Sequence, residues 1–96
     1  MAQWVVVVQS GHGDQYRCEE AARFQGTLEQ ARALLYEIAC TYKPGFALRQ
    51  RRREVFRVGA GDAYYAHIEG AVSTQRVMFQ LAERVWSTDP EPSPWQ

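Results

Sequence analysis

Hydrophobic and polar residues follow a helical period most clearly in residues 27–42. Apolar residues recur there at spacings of three and four, at Leu28, Ala31, Leu35, Ile38 and Tyr42. This spacing predicts an amphipathic helix with a single buried stripe. Thr27 and Gln30 have the spacing of a capping box at its start. Pro44 disfavours helical geometry in the residue before it, so the helix should end near Tyr42.

Most of the remaining chain follows the two-residue period of β-strands. Residues 4–8 form a β-branched run that is apolar on both sides, which is typical of an inner strand. Residues 16–24 alternate and should pair with it as a hairpin, and Glu20 interrupts the apolar side, which predicts a bulge there. Residues 53–58 and 63–72 alternate around a glycine-rich turn and predict a second hairpin.

Residues 74–86 fit two patterns. In a helix, Val77, Leu81 and Val85 would share one stripe, beside Met78 and its neighbours at helical spacing. In a strand, Val77, Phe79 and Leu81 would lie on one face. Periodicity alone leaves the order of elements open between ββαβββ and ββαββα.

Three features carry a resemblance: the run Arg-Arg-Arg-x-Val-Phe-Arg at 51–57, a short Gly-Asp turn, and the segment Phe-x-Leu-Ala-Glu-x-Val-Trp at 79–86. In these the chain resembles small uncharacterised proteins of about this length from actinobacteria of the Streptomyces type. The similar proteins are rich in alternating residues before the Ala-Glu pair, which implies a strand over 75–82. The resemblance includes no catalytic motif.

We therefore predict one α+β domain over residues 1–88, with the order ββαβββ. It should hold an antiparallel sheet of about five strands, with one helix packed on one face. The Pro-rich, polar residues 89–96 should be disordered.

Charge and cysteine content narrow the class of protein. The 96 residues carry eleven basic and eleven acidic side chains, although residues 43–57 alone hold six basic residues and one acidic residue, a local net charge of +5. Cys18 and Cys40 fit no metal-ligand spacing and are predicted to be small buried residues. We expect no metal and no cofactor. The sequence shows no signal peptide and no apolar run that could span a membrane, which predicts a cytoplasmic protein.

The arginine-rich run suggests an anion-binding or nucleic-acid-binding site at Arg49, Arg51, Arg52 and Arg53, because closely spaced guanidinium groups can bind phosphate or carboxylate. The neutral overall charge argues against nucleic acid. The alternative is a solvated run that protects a sheet edge and pairs with nearby glutamates, Glu19, Glu29 or Glu37.

His67 shares a strand face with Tyr65 and Glu69, a set that can perform general acid–base chemistry when it lines a pocket. On an open sheet the same three residues are ordinary surface. We therefore favour a non-enzymatic role and keep a small enzyme as the alternative.

A mismatch of widths predicts a binding surface. One helix covers about 10–12 Å, whereas five strands spaced by almost 5 Å span about twice that, so part of the sheet should stay bare. The candidate interface residues are Trp4, Tyr65, His67, Met78 and Trp86. We predict a binding or assembly module that forms a homodimer, and an unknown protein or a small molecule held between sheet and helix is the other possibility.

Overall fold

The computed structural model describes residues 2–11, 16–42, 50–71 and 74–88, which form one antiparallel sheet with one helix. The elements follow the order β1 (Ala2–Ser10), β2 (Arg17–Gly26), α1 (Leu28–Thr41), β3 (Gln50–Val58), β4 (Ala63–Gly70) and β5 (Thr74–Glu83). The strand order across the sheet is β2-β1-β5-β4-β3. The predicted α+β fold of order ββαβββ is confirmed.

The strand interpretation of residues 74–86 is also confirmed. β5 lies in the centre of the sheet, where it pairs with β1 on one side and β4 on the other. Val77 and Phe79 are completely buried there. A helix in this position would leave β1 and β4 without a common neighbour, so tertiary pairing decides between two patterns that periodicity cannot separate. Residues 89–96 and Arg49 lie outside the described residues.

The helix begins as its sequence predicts. The Gln30 N–H donates to Thr27 Oγ1 at 3.1 Å, and the Thr27 N–H donates to Gln30 Oε1 at 3.0 Å, which completes the capping box. Leu28, which its spacing predicts to lie in the buried stripe, is 39% exposed. The fully buried helical residues are Ala31, Leu35 and Ala39.

The core lies between α1 and one face of the sheet. Phe79 is its largest fully buried side chain, and the Tyr42 ring meets it edge-on with centroids 6.0 Å apart. Small helical residues let the helix approach the strands closely. The core consists of Val6, Val8, Leu35, Ala39, Tyr64, Ala66, Ile68, Val77 and Phe79.

A β-bulge in β2 reverses the side-chain alternation of that strand. Val6 pairs with Ala22 and Val7 pairs with Glu20, which leaves Ala21 as the extra residue. The bulge predicted near Glu20 is therefore present. It places Cys18 on the face opposite to Ala22, and Cys18 is exposed. The prediction that Cys18 faces the core is wrong, because simple alternation does not survive a bulge.

Arg53 closes the C-terminal end of the helix. Its guanidinium donates from Nη1 to the Ala39 carbonyl at 2.8 Å and from Nη2 to the Tyr42 carbonyl at 2.6 Å. Nε donates to Gln50 Oε1 at 2.9 Å. The last carbonyls of a helix have no intrahelical donors, so Arg53 satisfies groups that would otherwise need water. Burial lowers the pKa of Arg53, which marks the partial desolvation of this contact.

The Arg53→Met variant should lower the free energy of unfolding by about 1–3 kcal/mol, because two helix carbonyls lose a charged donor. Arg51 lies on the same strand, is exposed, and provides the matched control. Arg51→Met should change the free energy by less than about 0.5 kcal/mol. Urea unfolding of both variants measures the difference, and equal effects would contradict the capping role of Arg53.

A second polar contact joins the helix to the turn between β3 and β4. Arg32 Nε lies 2.8 Å from Asp62 Oδ1. The hydrogen bond from Arg32 lowers the pKa of Asp62 below its ordinary value of 3.8. The backbone carbonyl of Asp62 also accepts a hydrogen bond from the Leu81 N–H at 2.9 Å, so this turn is fixed to both layers.

The coupling between Arg32 and Asp62 should depend on pH. A carboxyl whose pKa is lowered on folding contributes stability above its unfolded pKa, and this contribution is lost as the pH falls through the folded pKa. A double-mutant cycle of Arg32→Gln and Asp62→Asn, followed by urea unfolding, should show a constant coupling above about pH 5 that disappears toward about pH 2. A coupling of equal size at both pH values would refute the ion pair.

Candidate functional site

The face of the sheet opposite α1, called here the open face, is the main candidate site. No described element covers it. Strand alternation places Val5 and Val7 of β1, Met78 of β5, Tyr65 of β4 and Phe56 of β3 on this face, since their neighbours in sequence point into the core. The helix α1 therefore covers one side of the sheet, and the other side has no cover among the described elements.

An apolar band crosses the open face. Met78 pairs with Tyr65, and Tyr65 pairs with Phe56, so the three side chains are neighbours on adjacent strands. The Phe56 and Tyr65 rings lie 6.0 Å apart, and Phe56 is 50% exposed. The apolar band consists of Val5, Val7, Phe56, Val58, Tyr65 and Met78.

One corner of the open face carries a cluster of charges, called here the ionic corner. Arg52 lies 2.8 Å from Glu54 and 3.9 Å from Glu69. His67 Nδ1 lies 3.6 Å from Glu54 Oε1, and Arg76 pairs with His67 from the neighbouring strand. Two arginines and two glutamates balance, so the corner has no net charge when His67 is neutral.

The three residues proposed for acid–base chemistry lie in a line along β4. Tyr65, His67 and Glu69 share the open face at intervals of two residues, about 7 Å apart. The close partner of His67 is Glu54 on β3, which sequence reasoning missed because it depends on the register between β3 and β4. The arrangement is an exposed polar network on a flat sheet.

The arginine-rich run is divided between the two faces of β3. Arg52 lies on the open face in the ionic corner, whereas Arg53 points to the opposite side and Arg51 is the extra residue at a register shift in the β3–β4 ladder. Arg53 is committed to the helix end. The three described arginines do not converge on one site. The acidic partners of Arg52 are on β3 itself and β4, and they differ from the glutamates that the sequence suggested.

The predicted interface residues fall into two groups. Tyr65, His67 and Met78 lie together on the open face. Trp4 lies on the helix side of β1, where its indole N–H donates to the Gly26 carbonyl at 3.0 Å, and Trp86 is 77% exposed. These two tryptophans line a cleft of about 680 Å³ at one end of the sheet, which shares Val5, Glu20 and Arg23 with the open face. Its other lining residues are Gln3, Phe24, Gln25, Arg84 and Ser87.

The described part of the chain contains neither a cluster of metal ligands nor a membrane-spanning helix. Its residues contain no group of three or more His, Cys, Asp and Glu side chains that could hold a metal ion. Within the same ranges, no helix has the length and apolar character needed to span a membrane.

Comparisons of the chain with models of known protein families, with curated proteins and with solved structures found no match. The open face and the cleft are therefore the features from which a function can be inferred.

Proposed function

We propose that this chain is a non-enzymatic assembly module that forms a homodimer through the open face, with sheet packed against sheet. The observation that supports the proposal is the apolar band, which crosses a sheet surface that no described element covers. Three of its side chains, Phe56, Tyr65 and Met78, are direct cross-strand neighbours, and large exposed apolar patches on soluble proteins commonly mark interaction sites.

The size of the open face fits a stable interface. Five strands span about 24 Å across the sheet, and eight residues of strand extend about 26 Å, which gives a flat area of about 600 Å². The accessible area of a corrugated side-chain surface is larger than its flat projection. A standard interface buries about 800 Å² of each partner, so a face of this size is large enough.

The charges of the open face are compatible with a second copy of the chain. Arg23, Arg52 and Arg76 contribute three positive charges. Three glutamates on the same face, Glu20, Glu54 and Glu69, balance them. A two-fold dimer brings the same patch of each subunit together, so a neutral patch avoids the repulsion that a basic or acidic patch would cause. The same balance gives nucleic acid no electrostatic attraction to this face.

The wild-type chain should sediment as a dimer of about 22 kDa, twice the chain mass of 11.0 kDa, at micromolar concentration. Phe56→Glu should raise the dimer dissociation constant at least tenfold, about 1.4 kcal/mol, because it places a charge in the apolar band. Tyr36→Glu is the matched control. Tyr36 is 55% exposed on the helix and also makes one aromatic contact, with Tyr64 at 5.6 Å.

Analytical ultracentrifugation over a concentration series gives the dissociation constant of each variant. The control should dimerise as the wild type does. Weak dimers typically have dissociation constants in the micromolar range. A wild-type chain that stays monomeric up to about 100 μM would therefore refute the proposal. A Tyr36→Glu effect as large as that of Phe56→Glu would place the interface elsewhere.

A further inference from the structure

The two edges of the sheet differ in their readiness to accept another strand. β2 forms one edge and is interrupted by the bulge at Ala21, which twists an edge and hinders pairing. β3 forms the other edge. Its ladder with β4 has a register shift at Arg51, close to the start of the strand, and is regular from Arg52 to Val58. No described strand pairs with the outer side of β3. The backbone groups on that side can therefore hydrogen-bond to an added strand.

The edge formed by β3 is strongly basic. It carries four arginines and one glutamate, a net charge of +3. Arg52 and Arg53 have partners within the chain, whereas Arg51 and Arg57 have none among the described residues. These two arginines lie near the two ends of the strand, six residues apart, about 20 Å.

A second copy of β3 is a poor partner for this edge. Two copies of β3 related by a two-fold axis normal to the sheet would pair antiparallel, with even-numbered residues opposite even-numbered ones and odd opposite odd. Three registers of this kind overlap most of the strand. The first opposes Arg57 to the bulged residue Arg51 and Glu54 to itself, and the third opposes Arg53 to Arg57. The second opposes Arg53 to itself but also sets Arg52 opposite Glu54 twice. Like charges directly opposite each other destabilise a strand pair. The arginines therefore disfavour self-pairing in two of the three registers.

We propose that the outer edge of β3 binds an extended acidic segment of another protein as a sixth strand. Main-chain hydrogen bonds would supply affinity, and alternate side chains would supply selectivity. Acidic residues of the added strand would meet Arg57 and, near the other end of β3, Arg51. Apolar residues on the open-face side of the added strand would meet Phe56 and Val58, which are 50% and 44% exposed.

Fluorescence anisotropy with a labelled peptide as long as β3, of alternating glutamate and valine, tests the proposal on the full chain. Two companion peptides are needed. One replaces each glutamate with lysine, and the other carries N-methyl groups on every second residue, which removes the donors of one strand edge. Both should bind at least about tenfold more weakly than the glutamate peptide, and added salt should weaken the glutamate peptide further.

The double variant R51E/R57E should weaken binding of the glutamate peptide at least about tenfold, because two attractive contacts become repulsive. The matched control R17E/Y36E adds negative charge at two exposed positions on β2 and α1, outside the open face and the outer edge of β3, and should stay within about twofold of the wild type. Circular dichroism confirms that each variant folds, and the companion peptides test the wild type without any substitution.

Four results would each overturn the proposal: no binding of the glutamate peptide at millimolar concentration, equal binding of the lysine peptide, equal binding of the N-methylated peptide, or equal losses in the two double variants. Dimerisation is measured separately, on the chain without peptide. A failure of peptide binding at the edge of β3 can therefore be distinguished from a failure of dimerisation through the open face.

Discussion

The structure depends on an imbalance between its two layers, because one helix packs against five strands. The helix comes close to the sheet through Ala31 and Ala39, and Leu35 fills the space between them. Arg53 holds one end of the helix, and Arg32 ties a point near the other end to the β3–β4 turn. These contacts fix the helix on one side of the sheet. No described element covers the apolar surface of the other side.

Sequence patterns were sufficient for local features and insufficient for those that depend on strand register. The capping box at Thr27 and the order of elements follow from spacing within short segments. The assignment of β5 as a strand depends on its pairing with β1 and β4, since Val77 fits both a helical period and a strand period. Glu20 indicates a bulge, but the pattern does not show that the bulge exchanges the two faces of β2. Simple alternation therefore predicts the wrong face for Cys18. The contact between His67 and Glu54 is between strands and has no sequence signal.

The arginine-rich run shows how one motif can have several roles. Alternation sends Arg52 to the open face, where it joins the ionic corner, and sends Arg53 to the helix, where it replaces missing donors. Arg51 remains exposed beside it. Composition treats these residues as one basic cluster, whereas the strand separates them into an ion pair, a helix cap and a surface charge. A count of charges along the sequence therefore overstates the strength of any single anion site.

The bulge at Ala21 has a consequence for the stoichiometry of any complex. A flat sheet with two receptive edges can add strands in both directions and grow into a fibre. Here the bulge breaks the ladder of β2 in mid-strand, whereas β3 keeps a regular ladder from Arg52 to Val58. One extra residue in β2 thus favours strand addition on one side of the sheet over continued growth on both sides.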